Sequence, residues 1–282
     1  MTRAASGGHA AAAAPGLISS AANPLSKRMR LLADRKHRSR QGAFVVEGIQ
    51  PVWQAVEAGA DIEVLVVAPE LLGDSPAAAM AAGQEAAGTP VARMTAELFG
   101  RLSVRDGPSG LAAIVRGRPA RVAGLAVQPR SLFVALHEVG NPGNLGTIIR
   151  TADAAGAAGV ILLGQATDPF DPAAVKASMG AVFSVPVAHE ADPGEFFGWA
   201  AAHGVTVAAA SAGASTSFWA VPYPRPLAFL LGAEGPGLPD SLLARGDLSV
   251  RIPMTGTAES LNLAAAATLL LYEAQRHGGS LT

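Results

Sequence analysis

The chain has 282 residues, 50% of them hydrophobic and 15% charged, with a formal net charge of −1 at pH 7 and no cysteine. That length predicts roughly two domains, the apolar fraction excludes a disordered chain, and the absence of cysteine excludes disulfides and thiolate metal sites. No apolar run reaches the ~18–20 residues of a membrane span, and the N-terminus lacks a signal-peptide pattern, so the expectation is a soluble, cytoplasmic protein.

Residues 1–22 are small-residue, low-complexity sequence and read as a tail with no fold of its own. From Asn23 the spacing predicts a helix, with Leu25, Met29 and Leu32 on one face. Lys27, Arg28, Arg30, Arg35, Lys36, Arg38 and Arg40 crowd the same stretch, opposed locally only by Asp34. So dense a cluster is an electrostatic footprint for a polyanion such as nucleic acid, although a solvated helix face gives the same pattern. Apolar strands follow at 43–46, 64–67, 90–92 and 111–115, interleaved with helical stretches at 50–58, 77–87 and 95–102. Short strands alternating with helices make residues 23–117 a small α/β domain. Pro119, Gly124 and Pro129 mark 118–130 as a linker.

Residues 131–282 read as a second α/β domain. Leu132 to Leu136 is a continuous apolar run suited to a strand buried on both faces, and 160–163, 205–209 and 227–231 repeat the pattern. This is the grammar of a parallel sheet whose functional loops sit at the carboxyl ends of its strands.

Three of those loops carry polar residues set among small ones. The first, Asn141-Pro142-Gly143-Asn144-Leu145-Gly146, enters a helix that holds Arg150 six residues beyond Asn144. The second, Leu231 to Gly237, places Glu234 among glycines that permit positive φ. The third turns through Pro253-Met254-Thr255-Gly256 and presents Glu259-Ser260-Leu261-Asn262 before an Ala-rich run, with Ser260 in the position of a helix N-cap. None of the glycines fits a dinucleotide or phosphate-loop fingerprint. His137, His189 and His203 lack ligand spacing, so no metal is expected.

In this order the loops resemble the three motifs of the SPOUT superfamily, in its SpoU/TrmH branch of RNA ribose 2′-O-methyltransferases. Asn141, Asn144, Gly146 and Arg150 match the first motif, Leu231 to Gly235 with Gly237 the second, and Ile252-Pro253-Met254 with Glu259 to Asn262 the third. Phe44 to Gly48 and Gly110-Leu111-Ala112 are similar to the branch's substrate-recognition domain. Ribosomal RNA methyltransferases conferring thiostrepton or avilamycin resistance share this layout.

The resemblance implies a deep trefoil knot in the C-terminal domain, a homodimer, and S-adenosylmethionine as cofactor. It implies cofactor contacts at Ser211, Gly213, Leu231, Gly232, Ile252, Met254, Ser260 and Leu261. It implies Asn144, Arg150, Glu234, Ser260 and Asn262 as catalytic or positioning residues. Arg150 is often described as the base in such enzymes, but a guanidinium stays protonated. A phosphate clamp that orients the 2′-hydroxyl is therefore physically easier. The expected substrate is structured RNA, 23S ribosomal RNA before transfer RNA. A non-catalytic RNA-binding protein is the other reading, disfavoured by the joint presence of Asn144, Arg150, Glu234, Ser260 and Asn262.

Overall fold

The computed structural model describes residues 16–103 and 107–277. In the N-terminal half the elements are β1 (Leu17–Ile18), α1 (Pro24–Leu31), α2 (Arg35–Gln41), β2 (Ala43–Glu47), α3 (Ile49–Glu57), β3 (Ile62–Val67), α4 (Pro69–Leu72), α5 (Pro76–Ala86), β4 (Val91–Met94), α6 (Ala96–Leu102) and β5 (Leu111–Arg116). They build a five-stranded mixed sheet ordered β1-β4-β3-β5-β2. Strand β5 lies between β3 and β2: Leu111, Ala113 and Val115 enter one core while Ala112 and Ile114 enter the other. This is the period-2 alternation of a strand covered on both faces.

The helix expected from Asn23 is α1, with Asn23 as its cap, and Asp34 starts a second helix, α2, by accepting from the Lys36 N–H at 2.7 Å. One expectation changes here. Of the tail expected over 1–22, residues 1–15 lie outside the described ones. Leu17 and Ile18 pair in parallel with Arg93 and Met94, so the sheet begins before Asn23.

The C-terminal half runs β6 (Leu132–His137), α7 (Pro142–Ala154), β7 (Gly159–Leu163), α8 (Pro172–Ser178), β8 (Val187–Glu190), α9 (Pro193–Ala202), β9 (Thr206–Ala210), β10 (Thr216–Ser217), β11 (Leu227–Leu231), α10 (Asp240–Leu243), β12 (Leu248–Arg251) and α11 (Leu263–His277). Its seven strands are all parallel, ordered β10-β12-β9-β11-β6-β7-β8. Along β6, Leu132, Val134 and Leu136 face the core under α7 and α11, and Phe133 and Ala135 face the core under α9. The parallel α/β sheet expected from the apolar runs is present. No helix among the described residues is long and apolar enough to cross a membrane.

Helix α8 joins the two halves. Its Val175 enters the N-terminal core cluster, while α7 packs against it so closely that a Cβ on Gly146 would lie 2.3 Å from the Ala174 carbonyl oxygen. Nearby, the Phe170 ring stacks on Phe44 with centroids 4.3 Å apart. Arg38 donates from Nε to Asp168 at 2.7 Å and lies 3.4 Å from Asp171, and it also donates to the Leu32 and Ala33 carbonyls. With only 4% of Arg38 exposed, it does not belong to an RNA-facing surface. Two carboxylates and two carbonyls hold its guanidinium inside, and its proximity to other basic residues along the chain concealed that.

Candidate active site

The three loops converge through one chain of side-chain hydrogen bonds. Asn141 caps α7, its Oδ1 accepting from the Asn144 N–H at 3.0 Å, with Pro142 in the first turn where no N–H is needed. That cap turns Asn144 outward at the helix entrance. Its Nδ2 donates to Glu234 Oε1 at 2.8 Å, and its Oδ1 accepts from Asn262 Nδ2 at 3.1 Å. The second Glu234 oxygen accepts from the Gly140 N–H at 3.4 Å. Asn262 Oδ1 in turn accepts from the Ala264 and Ala265 N–H groups at 2.9 and 3.3 Å.

The direction of this relay follows from chemistry. A carboxylate only accepts, so Asn144 must turn its amide NH2 to Glu234 and its carbonyl to Asn262. Asn262 then has its own carbonyl free for the first N–H groups of α11. The N-cap of α11 is therefore Asn262, and the helix starts at Leu263; Ser260, expected to cap it, lies on the exposed loop before it.

Arg150 lies two turns into α7. Leu145, Ile148, Ile149 and Ala152 bury the opposite face of that helix, which leaves the Arg150 side chain exposed with no hydrogen-bond or ion-pair partner among the described residues. An unpaired guanidinium at the mouth of a site is available to an anionic substrate. Thr151 Oγ1 meets Thr268 Oγ1 at 3.4 Å, tying α7 to α11 beside it.

The glycines of the second loop serve the loop itself. A Cβ on Gly232 would sit 2.0 Å from the Gly237 carbonyl carbon, and the Gly237 N–H donates to the Ala233 carbonyl at 3.1 Å. Gly235 and Gly237 have φ of 99° and 72°. Together they close a tight turn that delivers the Glu234 carboxylate to Asn144.

A cavity of about 480 Å³ opens beside the third loop, within the ~300–1,000 Å³ typical of small-molecule sites. Ile252, Met254 and Leu261 line it. Phe218, Trp219 and Leu269 line it as well, although the motifs did not single them out. Their signal would have been large apolar groups left in solvent, since Trp219 is 62% and Leu269 42% exposed. Leu231, Gly232, Ser211, Gly213 and Ser260 are not among its lining residues. Leu231 is buried, and Ser211 Oγ accepts from the Gly213 N–H at 3.3 Å in the loop after β9. A cavity lined by residues 252–258, Phe218, Trp219, Leu261 and Leu269, with no charged side chain among them, fits an uncharged purine better than a phosphate.

On the N-terminal half, Lys27, Arg30, Arg35, Lys36 and Arg40 are exposed. Arg28 is half-buried, 2.6 Å from Glu63.

Residues 131–272 match the SpoU rRNA Methylase family, and residues 23–113 match the MRM3-like substrate binding domain. Among curated proteins, the chain is 33% identical over 261 residues to the 23S rRNA (uridine(2479)-2′-O)-methyltransferase of Streptomyces viridochromogenes, covering 87% of each. It is 29% identical to the 23S rRNA (guanosine(2553)-2′-O)-methyltransferase RlmP of Bacillus subtilis, covering 90% of this chain and 97% of the relative. Among solved structures, it is similar to the AdoMet-bound rRNA methyltransferase of Sinorhizobium meliloti, with a TM-score of 0.84 and 37% identity, covering 92% of this chain and 97% of the other.

Proposed function

The chain belongs to the SpoU rRNA methylase family, and on that premise we propose how its residues carry out S-adenosylmethionine-dependent methylation of a ribose 2′-hydroxyl in 23S ribosomal RNA. The observation that carries the reading is the Glu234–Asn144–Asn262 relay, which brings all three motif loops to one place. Residues 23–117 would hold the RNA, 118–130 link, and 131–282 form the methyltransferase domain.

S-adenosylmethionine, when bound, supplies an electrophilic methyl group on a sulfonium. Ile252, Met254 and Leu261, which line the cavity, would hold it, Gly232, Ile252 and Leu261 through their main chain, and Ser211, Gly213, Leu231 and Ser260 would complete the site beyond that lining. What the protein adds is alignment, since an in-line displacement gains most from fixed geometry. Arg150, protonated throughout, clamps the phosphate next to the target ribose and so orients its hydroxyl. Asn144, held from both sides, keeps the ribose or Arg150 in position, and Ser260 binds a second phosphate. The hydroxyl proton passes to the phosphate clamped by Arg150 or to water during attack.

The same reading includes a homodimer and a knotted C-terminus. Leu269 and Tyr272, one helical turn apart on α11, are both 42% exposed and offer an apolar face to a second copy. The segment from β9 to β11 supports the knot because it lies across α11: Phe218, Val221 and Tyr223 share a core with Leu263, Ala267 and Leu270, and Arg225 Nη2 donates to the Ala274 carbonyl at 3.1 Å. A cytoplasmic location follows from a ribosomal substrate.

Mass-spectrometric mapping of ribosomal and transfer RNA from cells with and without the protein tests the reading. One 2′-O-methyl group in 23S RNA should disappear with the protein. A loss confined to transfer RNA would move the substrate, and no loss in either would remove the activity. Antibiotic susceptibility of the same two strains reads out any resistance role.

A further inference from the structure

We propose that the cleft between the two halves of the protein is a second RNA contact, which grips one phosphodiester of an unstacked nucleotide through Arg35 and Arg118. This rests on the ribosomal RNA reading above and adds to it a site away from Arg150. The cleft has a volume of about 300 Å³ and lies where α2, the start of the linker, and the carboxyl ends of β7 and β8 meet.

Charge in the cleft is not balanced locally. Arg35, Arg38, Arg118 and Arg121 all line it, against Asp168 as its only lining carboxylate. Arg38 already engages Asp168 and Asp171. Arg121 lies 2.6 Å from Glu190, whose other oxygen accepts from the Val122 N–H. Every nearby acid is thus occupied, whereas Arg35 and Arg118 have no hydrogen-bond or ion-pair partner among the described residues and are exposed. Two free guanidinium forks match the bidentate geometry of a phosphodiester.

The remaining wall is apolar, with Phe170, Pro119 and Pro169, and suits the face of a base or ribose that has left a stack. A cleft of this size excludes a duplex. Its position also matters. Glu234 and Asn144 follow β11 and β6, and the cleft sits at β7 and β8 on the same end of the sheet. With ~4.8 Å between neighbouring strands, the two sites are separated by roughly 10–15 Å. A single strand would then touch both halves of the chain at once, and the nucleotide presented to Arg150 would be fixed by counting from the cleft.

The test compares full-length wild type, R35A/R118A, R118K and R93A for binding to transcribed 23S rRNA across salt concentrations, with S-adenosylmethionine calorimetry on each as a check of fold and cofactor site. Arg93 is on β4, three strands from β2 across the N-terminal sheet. Each single-strand phosphate neutralised contributes about 0.7 to the slope of log K against log salt, so R35A/R118A, which gives up one phosphate, should flatten that slope by about 0.7. R118K should keep the slope yet bind more weakly, having charge without the fork, and R93A should match wild type. A wild-type slope in R35A/R118A overturns this inference alone. A wild-type protein that binds no ribosomal RNA overturns the functional reading, and this inference with it.

Discussion

Asn262→Asp separates the relay from the helix cap that shares its side chain. Asn and Asp are about equal as N-caps, so the bonds from Ala264 and Ala265 to the side-chain oxygen at this position survive. An ionised carboxylate has no donor, however, so the 3.1 Å contact with Asn144 Oδ1 becomes oxygen against oxygen. Asn144 cannot rotate its amide to compensate, because that would turn its carbonyl onto Glu234, now 2.8 Å from its NH2 group. The lost bond is exposed, so the stability cost should be about 1 kcal/mol or less, a melting shift of ~2–4 °C for a domain of this size. The rate should suffer more, because displacing a positioning group by ~1 Å costs on the order of 100-fold. Initial rates of radiolabelled methyl transfer at saturating RNA and cofactor, beside a thermal melt, give both numbers. Asn262→Ala, which loses cap and donor together, should melt about 1 kcal/mol below Asn262→Asp. Because an ionised carboxylate facing an acceptor is disfavoured, the Asn262→Asp variant should regain activity relative to wild type as the pH falls and its new carboxyl becomes a donor. Wild-type turnover in Asn262→Asp at neutral pH would refute the relay as a positioning device.

If Arg150 is a clamp, Arg150→Lys should retain measurable turnover at saturating RNA while Arg150→Ala loses it. Equal and complete loss in both, with RNA binding intact, would count against the clamp. Removing Arg38 takes from Asp168 the buried guanidinium paired with it at 2.7 Å, so Arg38→Ala should cost about 3 kcal/mol in urea unfolding; a cost below about 1 kcal/mol would place the junction's strength elsewhere. Glu63 carries the clearest pH signature: the hydrogen bond from Arg28, with those of Arg116 and the charges of both, holds its carboxyl below the ordinary glutamate range. A lowered folded pKa contributes stability above the unfolded value of ~4.3, and that stability is lost as the pH falls through the folded value. The stability gap between wild type and Glu63→Gln should therefore be constant from about pH 6 to 8 and shrink as the pH falls below the unfolded value of ~4.3. A gap that does not shrink below that value would mean the pairing is not its source.

Much of the fold was legible because β6, β7 and β11 are apolar without interruption and are covered on both faces. The motif residues were legible because Asn144, Glu234 and Asn262 stand among small residues at strand ends, and they do meet. What escaped depends on partners distant in sequence. Helix α8 and strand β8 are short and weakly patterned, and they are settled by packing against α7 and β7. Arg38 looked like its basic neighbours until Asp168, 130 residues away, closed over it. The resemblance pointed to Gly232 as a cofactor contact, but only the fold shows that its missing side chain makes room for Gly237. Ser260 and Asn262 are both acceptable caps by composition; the fold chose the one that Asn144 could also hold.

The seat of α7 on α8 at Gly146 makes one hydrogen atom, where other residues carry a carbon, the spacer of a caliper. One jaw is the basic N-terminal surface, reached through Val175; the other is the end of α7 that bears Arg150. A methyl group there would meet a backbone carbonyl that no side-chain rotation can move aside, so the two jaws could part only together, and the span between grip and reaction would lengthen with them.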